Sequence, residues 1–506
     1  MQLKAERLNR LRFCFISTAI IAFICHGYRY FNLSYSGDAT LIYQTGEELY
    51  QISLGRFLQP LWWTIRGSIV APFLIGIFSI FFLSLSAFII LEVFHIEPSL
   101  AGFLICGLLT ASETIGIANG TYLPWADVYT VSLFFALLGA MVSLRDDYTF
   151  LFSPFCFLLS LGLYQSYISC AATCIVVALL RDCLSHRRSL RGIWTTGIRS
   201  CFLLLMGLLL YAAVLKAVLY FLQVEASTDY NGVGRVGMVS FTEFLSFLKE
   251  AYLTPVRFLL DPNGRAILPW HVSAVPVYIN WIFVGGSILA ILACKPHGKT
   301  AFTSIFLILI LPLSANFVMV ISKGVVNGLM IYSWSFLYLL PLLLIAGNKT
   351  LNCQKQLMRL ACIASSLLIA INTVTCNQIY IKRDLELDAT HSAFTRIINR
   401  AENNRDYHPG VTPVVLVGML PSSLLSMNRI GFEALSRLQG MRYTYGAAYE
   451  TSEYWYLSMI LGAPINLVSH EDRIRLIRET QAESILQRYP NEGSVQMIDG
   501  KLFIRF

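Results

Sequence analysis

Long apolar segments recur along most of the chain, and they limit what it can fold into. A helix needs about 20 mostly apolar residues to cross the hydrocarbon core of a bilayer. Ten segments have this character, at residues 13–31, 68–91, 99–118, 125–144, 149–181, 200–222, 276–294, 301–321, 329–347 and 360–378. A membrane β-barrel would show ten-residue alternation instead, which this sequence lacks. The sequence therefore predicts an all-α polytopic membrane protein.

The fifth segment, 149–181, is too long for one span and short for two, at about 33 residues. The loop after it is rich in arginine and is therefore expected in the cytoplasm. The turn before it, containing Arg145, lies on that same side if the N-terminus is cytoplasmic. The segment must then go out and return, reversing near Gly162–Ser166. Two short spans or a re-entrant hairpin would both satisfy this.

Counting that segment twice gives about 11 transmembrane helices, with the N-terminus cytoplasmic and the C-terminus outside. The inside loops then carry 15 Lys/Arg and the outside loops carry 8. This asymmetry supports the orientation, because cytoplasmic loops are enriched in basic residues. The formal net charge of +8 is spread over these loops, so we expect contact with membrane lipids and none with nucleic acid.

The composition becomes polar near residue 380 and divides the chain into two predicted domains. Residues 1–379 form a transmembrane domain with outer loops 32–67 and 223–275, and the second loop contains an amphipathic surface helix. Residues 380–506 form a small C-terminal α/β domain, which the span count places in the periplasm. We expect its elements to be helices near 384–403, 423–440 and 470–488, a buried strand at 413–418, and a hairpin turning at Asp499-Gly500.

The loop after the first apolar segment has an unusual density of polar side chains. It contains Asp38, Glu47 and Glu48, followed by Arg56 in Leu54-Gly-Arg-Phe57. Only 13% of the chain is charged, so this cluster needs an explanation. It is predicted to hold a catalytic base and a phosphate-binding arginine. Two of these residues also have plainer interpretations: Asp38 as a helix cap or a solvated loop residue, and Arg56 as an anchor to lipid phosphates.

Two further groups of polar residues are predicted on the same face. Glu113 and Asp127 lie near the outer ends of consecutive spans, and acids inside a membrane are costly enough to suggest function. They would otherwise pair with Lys216 or cap helix ends. The third group is Tyr164 and Gln165 at the predicted reversal, with Lys323 in a short outer loop.

No cofactor and no metal is expected from the sequence. The eight histidines show no ligand spacing, and Cys170 and Cys174 one helical turn apart are more typical of packing than of a metal site. A nucleotide fingerprint is also lacking. Nucleotide sugars stay in the cytoplasm, so a transferase acting outside needs a lipid-phosphate sugar. That chemistry requires a carboxylate base for the acceptor hydroxyl and a cation for the departing phosphate.

Three stretches carry a resemblance to a known family. They are Leu54-Gly-Arg-Phe57 with the acid before it, Gly162-Leu-Tyr-Gln-Ser166, and the ending from Tyr489-Pro to Ile498-Asp-Gly-Lys-Leu-Phe-Ile504. In their order and spacing the chain resembles the Gtr family of O-antigen glucosyltransferases carried by serotype-converting bacteriophages. Many members have paired acids where this chain has Gly37-Asp38, so Glu47 and Glu48 are alternative bases.

The resemblance implies a GT-C-like membrane fold in the bacterial inner membrane. It also implies an undecaprenyl-phosphate glucose donor, a lipid-linked O-antigen (lipopolysaccharide) acceptor, and two companions, a donor-synthesising glucosyltransferase and a flippase. Asp38 would be the base, Arg56 with Lys323 would bind phosphate, and Tyr164, Gln165, Glu113 and Asp127 would line the sugar pocket. The rival interpretations are a transporter or flippase of lipid-linked saccharides and an O-antigen polymerase.

Overall fold

The computed structural model describes most of the chain. The described residues are 2–34, 46–227, 241–261, 275–322, 326–346, 354–418, 457–458 and 461–506. Asp38, Lys323 and the predicted helix near 423–440 lie outside them.

Helices dominate the described residues. In chain order they are α1 (Gln2–Phe31), α2 (Glu47–Ser53), α3 (Gln59–Ile65), α4 (Pro72–Phe94), α5 (Leu100–Thr110), α6 (Glu113–Thr121), α7 (Ala126–Ser143), α8 (Ser153–Leu163), α9 (Ile168–Leu184), α10 (Leu190–Leu222), α11 (Phe241–Leu260), α12 (Val277–Ala293), α13 (Gly298–Ala315), α14 (Val318–Ile321), α15 (Ser335–Ala346), α16 (Gln354–Glu402), α17 (His470–Glu479) and α18 (Ala482–Ile485).

Eight helical stretches among the described residues are long and apolar enough to cross a membrane. They are Ala5–Phe31, Pro72–Phe94, Leu100–Thr121, Leu123–Ser143, Gln165–Leu184, Leu190–Leu222, Gly298–Ala315 and Gln354–Glu402. Three shorter apolar stretches accompany them, at Tyr148–Leu163, Val277–Ala293 and Tyr332–Ala346. Each predicted apolar segment overlaps one of these stretches, and 149–181 overlaps two, which supports an all-α polytopic membrane protein.

The predicted reversal inside 149–181 is present. Helix α8 ends because Tyr164 is extended, with φ −158° and ψ 109°. Ser132 in the first half of α7 donates to the carbonyl of Ser160 near the end of α8 (2.9 Å). At the other end of α7, Arg188 just past α9 donates to the Leu144 carbonyl (2.8 Å). Helix α8 therefore runs antiparallel to α7, and α9 runs back alongside it.

The last predicted span and the predicted helix near 384–403 are one continuous helix, α16, which is a correction to the sequence interpretation. The change from apolar to polar residues near Cys376 had indicated an end there. Polarity does not end a helix, however, and no glycine or proline lies between residues 354 and 402. By contrast, the predicted single span 99–118 is two helices, because the helix is interrupted at Ala111 and Ser112 between α5 and α6.

The predicted surface helix in loop 223–275 is α11. Its first half exposes Phe244 and Leu245, at 43% and 46%. Its second half buries Ala251, Thr254 and Phe258. An apolar exposed first half is consistent with a helix that lies in a membrane interface.

The described residues divide into two compact units. The first comprises residues 1–33, 48–119 and 125–377, and the second comprises 34–47, 120–124 and 378–506. The division falls within α16, between Asn377 and Gln378.

The second unit contains a four-stranded sheet formed by β1 (Pro413–Val417), β2 (Asn466–Leu467), β3 (Val495–Ile498) and β4 (Lys501–Arg505). Its strand order is β2-β1-β4-β3, with β1 parallel to β2 and β4, and β3 antiparallel to β4. The strand at 413–418 and the hairpin are therefore confirmed. Asp499 and Gly500 both have positive φ, as the tight hairpin turn requires.

The two faces of this sheet bury alternate residues, as the two-residue period of a strand dictates. Val414 and Leu416 pack with Phe394 of α16 on one face, while Val415 and Val417 pack with the α17–α18 region on the other. The helix predicted at 470–488 is shorter than expected. It ends at Glu479, since Gln481 adopts a left-handed conformation with φ 50° before α18 begins.

Candidate active site

The predicted outer loop 32–67 contains helix α2 at Glu47–Ser53. Helix α2 ends in a turn in which the amide of Gly55 donates to the Ile52 carbonyl (2.8 Å) and that of Arg56 to the Gln51 carbonyl (3.0 Å). Gly55 has a φ of +84°, which glycine adopts without the steric cost other residues incur. The turn projects Arg56 from the end of α2, just before α3.

Two stretches that the sequence singled out separately are in direct contact. The side-chain amide of Gln165 donates to the Leu54 carbonyl (2.8 Å) and to the Tyr211 hydroxyl (3.0 Å). That hydroxyl in turn donates to the Gly55 carbonyl (3.1 Å). Leu54-Gly-Arg-Phe57 is therefore fixed by the reversal between α8 and α9 and by α10.

A second set of bonds closes the same contact. The amide of Leu58 donates to the Gly162 carbonyl (3.0 Å), and the Gln59 side chain donates to the Leu163 carbonyl (2.8 Å). A side chain at Gly162 would lie 2.9 Å from the Phe57 ring. The two backbones can approach this closely because position 162 is a glycine.

The Arg56 guanidinium lies at the centre of this contact. It is half-buried, donates to the Gln51 side-chain oxygen (3.1 Å) and lies over the Tyr164 ring at 5.2 Å. Tyr164 is buried and packs edge-to-face against Tyr129 (4.7 Å) and Tyr167 (5.4 Å). A guanidinium over an aromatic ring is attracted by the negative face of that ring, so Tyr164 helps to orient Arg56.

Asp127 is fully buried in an ion pair with Arg66 at the end of α3. The two side chains have zero exposure and an N–O distance of 2.5 Å. The indole of Trp62 donates to the second carboxylate oxygen (2.9 Å), and the Val128 amide donates to the first (3.1 Å). The structure thus pairs Asp127 with Arg66 and not with Lys216. These bonds join α3 to the first turn of α7.

Glu113 lies at the start of α6 beside an open cleft with about 450 Å³ of empty space, counted to its mouth. The cleft is also lined by Ser112, Trp334, Tyr338 and Asn372. Three buried polar atoms in its lining have no hydrogen-bond partner among the described residues: Ser112 Oγ, Trp334 Nε1 and Asn372 Oδ1. Buried polar groups are nearly always hydrogen-bonded, so these atoms indicate a place for a polar ligand.

The predicted catalytic acids are Asp38, Glu47 and Glu48. Glu47 and Glu48 form the first turn of α2, with Glu47 half-buried and Glu48 exposed. Asp38 and Lys323 lie outside the described residues. The structure brings Arg56 together with Tyr164 and Gln165, while Asp127 and Glu113 have separate surroundings.

Sequence reasoning missed several residues that build this region, notably Gln51, Trp62, Arg66 and Tyr211. One signal was available for Arg66. Trp62 and Arg66 are four residues apart and therefore share a helix face. A buried acid such as Asp127 in an apolar segment requires a cation, and Arg66 is a basic residue predicted on the same side.

Comparisons with known proteins identify the family. No curated protein and no solved structure matches the chain. The family model described as glucosyl transferase GtrII matches residues 27–345, which is more than half of the chain and includes Arg56, Glu113, Asp127, Tyr164 and Gln165. The chain therefore belongs to the GtrII glucosyl transferase family.

Proposed function

We propose that the protein transfers a glucosyl group from a polyprenyl-phosphate glucose to lipid-linked O-antigen at the periplasmic face of the inner membrane. Membership of a glucosyl transferase family supports glucosyl transfer. The observation that carries the proposal further is the position of Arg56. Its guanidinium is oriented by Gln51 and Tyr164, where Leu54-Gly-Arg-Phe57 contacts the reversal between α8 and α9. That geometry suits a phosphate clamp.

The distribution of arginines supports the proposed side of the membrane. Arg10, Arg181 and Arg188 lie at the ends of α1, α9 and α10 that are opposite to the end holding Arg56, Tyr164 and Asp127. Basic residues are enriched on the cytoplasmic side. The Arg56 end of the first unit would therefore face the periplasm, where nucleotide sugars are lacking.

The proposed reaction is a displacement at the anomeric carbon of the donor. An acceptor hydroxyl forms the new C1–O bond while the bond from C1 to the phosphate oxygen breaks. The polyprenyl phosphate leaves with that electron pair, and the hydroxyl proton passes to a carboxylate. Asp38 is the proposed base, with Glu47 and Glu48 of α2 as alternatives.

Arg56 would stabilise the leaving phosphate. The charge on the polyprenyl phosphate grows as the C1–O bond breaks, so a fixed guanidinium binds the transition state more tightly than the donor. Its planar fork can donate two bonds to one phosphate group. Lys323 is proposed as a second cation for the same phosphate.

The cleft beside Glu113 is the proposed saccharide site. It offers aromatic faces from Trp334 and Tyr338, and the buried polar atoms described above could bond sugar hydroxyls. Aromatic faces with a few fixed polar groups are typical of pockets for such ligands. Tyr164 and Gln165 would border the donor sugar. Asp127 would act by holding α3 beside them, because Arg66, Trp62 and the Val128 amide already occupy its carboxylate.

The partners follow from the same chemistry. The donor would be made on the cytoplasmic side by a companion glucosyltransferase and carried across by a flippase, since no nucleotide is present outside to make it. The α/β unit at residues 378–506 is proposed to bind or select the acceptor chain. Bacteriophage-borne serotype conversion would be the biological setting.

Purified protein in detergent, supplied with polyprenyl-phosphate glucose and lipid-linked O-antigen, tests the proposal. Wild type should form glucosylated acceptor and release polyprenyl phosphate. Arg56→Ala should lower the rate by about 10²-fold or more, which is typical of losing a group that stabilises transition-state charge. Arg56→Lys should restore only part, because lysine lacks the planar fork. Arg257→Gln is the matched control, since that exposed arginine pairs with Glu250 on α11.

The same assay decides between the proposal and its rivals. A transporter would give no product with wild type. A polymerase would join saccharide units without transferring glucose from polyprenyl-phosphate glucose. Near-normal activity of Arg56→Ala would remove Arg56 from the phosphate site. Asp38→Asn, Glu47→Gln and Glu48→Gln then identify the base, because only the base variant should lose about 10²–10⁴-fold in rate.

A further inference from the structure

Three side chains with metal-binding atoms meet inside the first unit, away from the site described above. Cys25 and His26 are neighbours in α1, and Cys376 lies in α16. The two sulfurs and one imidazole nitrogen lie within 4.8 Å of one another, and all three residues are buried. No sequence pattern predicts this cluster, since Cys376 is far along the chain from the other two.

The surroundings of His26 match those of a metal ligand. Its Nε2 lies 2.9 Å from the carbonyl of Thr110 at the end of α5. A carbonyl only accepts, so Nε2 carries the proton and donates to it. Nδ1 then carries the lone pair that a metal ion would bind. Metal-binding histidines commonly donate their other ring N–H to a carbonyl or carboxylate in this way.

The helix packing leaves room for the sulfur of Cys376. A side chain at Gly116 of α6 would lie 2.5 Å from Cys376 Sγ. The neighbouring Asn377 donates to the Ile24 and Cys25 carbonyls (3.3 Å each), which holds α16 against α1 at this level. The cluster is therefore fixed by backbone contacts on both sides.

A fourth polar group lies beside the thiols. Tyr30 follows His26 by one helical turn, is 2% exposed, and interacts electrostatically with Cys25 and Cys376. Its hydroxyl has no hydrogen-bond partner among the described residues. A buried hydroxyl without a partner is costly, so this atom independently indicates a missing ligand.

We propose that Cys25, His26 and Cys376 bind one Zn²⁺ ion, with the Tyr30 hydroxyl at the fourth position. Bond lengths of about 2.3 Å to sulfur and 2.0–2.1 Å to nitrogen bring tetrahedral ligand atoms within about 3.8 Å of one another. Side-chain movements of about 1 Å would therefore complete the site. Binding displaces one proton from each thiol and forms two Zn–S bonds, one Zn–N bond and one Zn–O bond to the Tyr30 hydroxyl, which keeps its proton. The two thiolates cancel the charge of the ion, which the apolar interior of a membrane favours.

The choice of zinc follows from the ligands and their charge. Thiolate and imidazole ligands select soft or borderline ions such as Zn²⁺ and Cu⁺. With two thiolates, Cu⁺ would leave a net negative charge in a buried site, whereas Zn²⁺ leaves none. The ion would join α1, α5 and α16 just before α1 leads into the loop that carries Asp38. It would thus hold the start of that loop without taking part in transfer.

The test is the metal content of the full-length protein purified in detergent, loaded with zinc and then passed over a chelating resin. Wild type should retain about one zinc per chain, measured by inductively coupled plasma mass spectrometry. Cys25→Ser, His26→Ala and Cys376→Ser should each retain much less. Cobalt-loaded wild type should show sulfur-to-cobalt charge-transfer bands, and their intensity per bound cobalt should fall to about half in Cys25→Ser because one of two thiolates is gone.

Matched variants separate metal binding from packing. Cys170→Ser alters another buried cysteine, on α9, and should retain zinc. Gly116→Ala pushes against the Cys376 sulfur and should weaken retention. Gly107→Ala on α5 meets the Ile369 side chain at the same 2.5 Å and should not. Strong chelation should also lower the unfolding temperature of wild type, but not that of His26→Ala.

Three results would overturn the proposal. Wild type that retains only a small fraction of an ion per chain has no such site. If Cys170→Ser loses as much zinc as the ligand variants, the loss reflects disturbed folding and not the removal of a zinc ligand. A Cys25–Cys376 disulfide in most of the protein taken from membranes would mean that the two sulfurs are bonded to each other and do not bind zinc.

Discussion

The two ends of the transmembrane unit use arginine in opposite ways. At one end, Arg10 pairs with Glu92 and Glu97, and Arg188 pairs with Asp182 and with Asp146. Two of these four partners are exposed, Glu97 at 68% and Asp146 at 71%, while Glu92 and Asp182 are mostly buried. At the other end, Arg66 and Asp127 are paired with no exposure at all, and Arg56 lies over an aromatic ring.

This contrast separates orientation from chemistry. Exposed ion pairs contribute little to stability, and in the proposed orientation their arginines would serve mainly to keep that end in the cytoplasm. A buried pair is different, because each charge depends on the other for its solvation. The expectation is that variants at the Arg66 end have large effects and variants at the Arg188 end have small ones.

The largest effect on stability should come from breaking the buried pair. Asp127→Asn keeps the shape and a partner for Trp62 but leaves the Arg66 charge buried without a counter-charge. We expect a loss of about 3–5 kcal/mol in the free energy of unfolding. The measurement is a titration of dodecyl sulfate into detergent micelles, followed by tryptophan fluorescence.

The double variant Arg66→Met, Asp127→Leu sharpens this result. Replacing both charges by apolar side chains of similar volume is often neutral, so most of the lost stability should return. If the double variant is as unstable as the single one, the pair is not what holds α3 to α7. If the double variant regains stability, its transfer activity shows whether the ion pair does more than hold α3 in place.

The amount that the sequence could predict differs between these ends. Hydropathy and arginine counts located the apolar helices and the reversal at Tyr164, since both depend on local composition. The pairing of Asp127 with Arg66 depends on how α3 packs against α7, which no local pattern encodes. Contact between Leu54-Gly-Arg-Phe57 and Gly162–Ser166 is of the same kind. The sequence marked each stretch as unusual, but only packing joined them.

In the C-terminal unit, too, local features were predicted correctly and the extent of a long helix was not. The strand at 413–417 follows from a short continuous apolar run and the hairpin at Asp499-Gly500 from turn chemistry, and both are present. The end of the last membrane helix was predicted wrongly, because apolar composition reports where lipid ends and not where a helix ends. Helix α16 continues for that reason well past Cys376. The Cys25–His26–Cys376 cluster is the extreme case, built from residues that only the folded chain brings together.

A smaller effect is expected at the turn that carries Arg56. Gly55 has a φ of +84°, and a side chain there would lie 2.3 Å from the Tyr211 hydroxyl and 2.7 Å from the Gln165 amide nitrogen. Gly55→Ala should therefore displace both donors, cost about 1–3 kcal/mol by overpacking, and lower transfer by moving Arg56. Activity and the unfolding titration are both measured.

Gly67 provides the control, because it has the same φ of +84° and no atom within 4 Å of an added side chain. Gly67→Ala introduces backbone strain alone, at roughly 1 kcal/mol, and should leave transfer unchanged. Similar losses of activity in both variants would mean that strain, and not the contact with Gln165 and Tyr211, explains the Gly55 result.

The smallest effect should come from the arginine-rich end. Asp146 pairs with Arg188 at 2.8 Å and with Arg199 at 3.8 Å, but it is 71% exposed. Arg188 would keep its bond to Asp182 (3.1 Å) and to the Leu144 carbonyl after Asp146→Asn. Water and salt screen such a pair, so the free energy of unfolding should change by less than about 1 kcal/mol, and transfer should not change. Adding salt should reduce even this difference. A loss from Asp146→Asn as large as that from Asp127→Asn would mean that burial does not distinguish the two ends, and the proposed division between orienting and site-building arginines would fail.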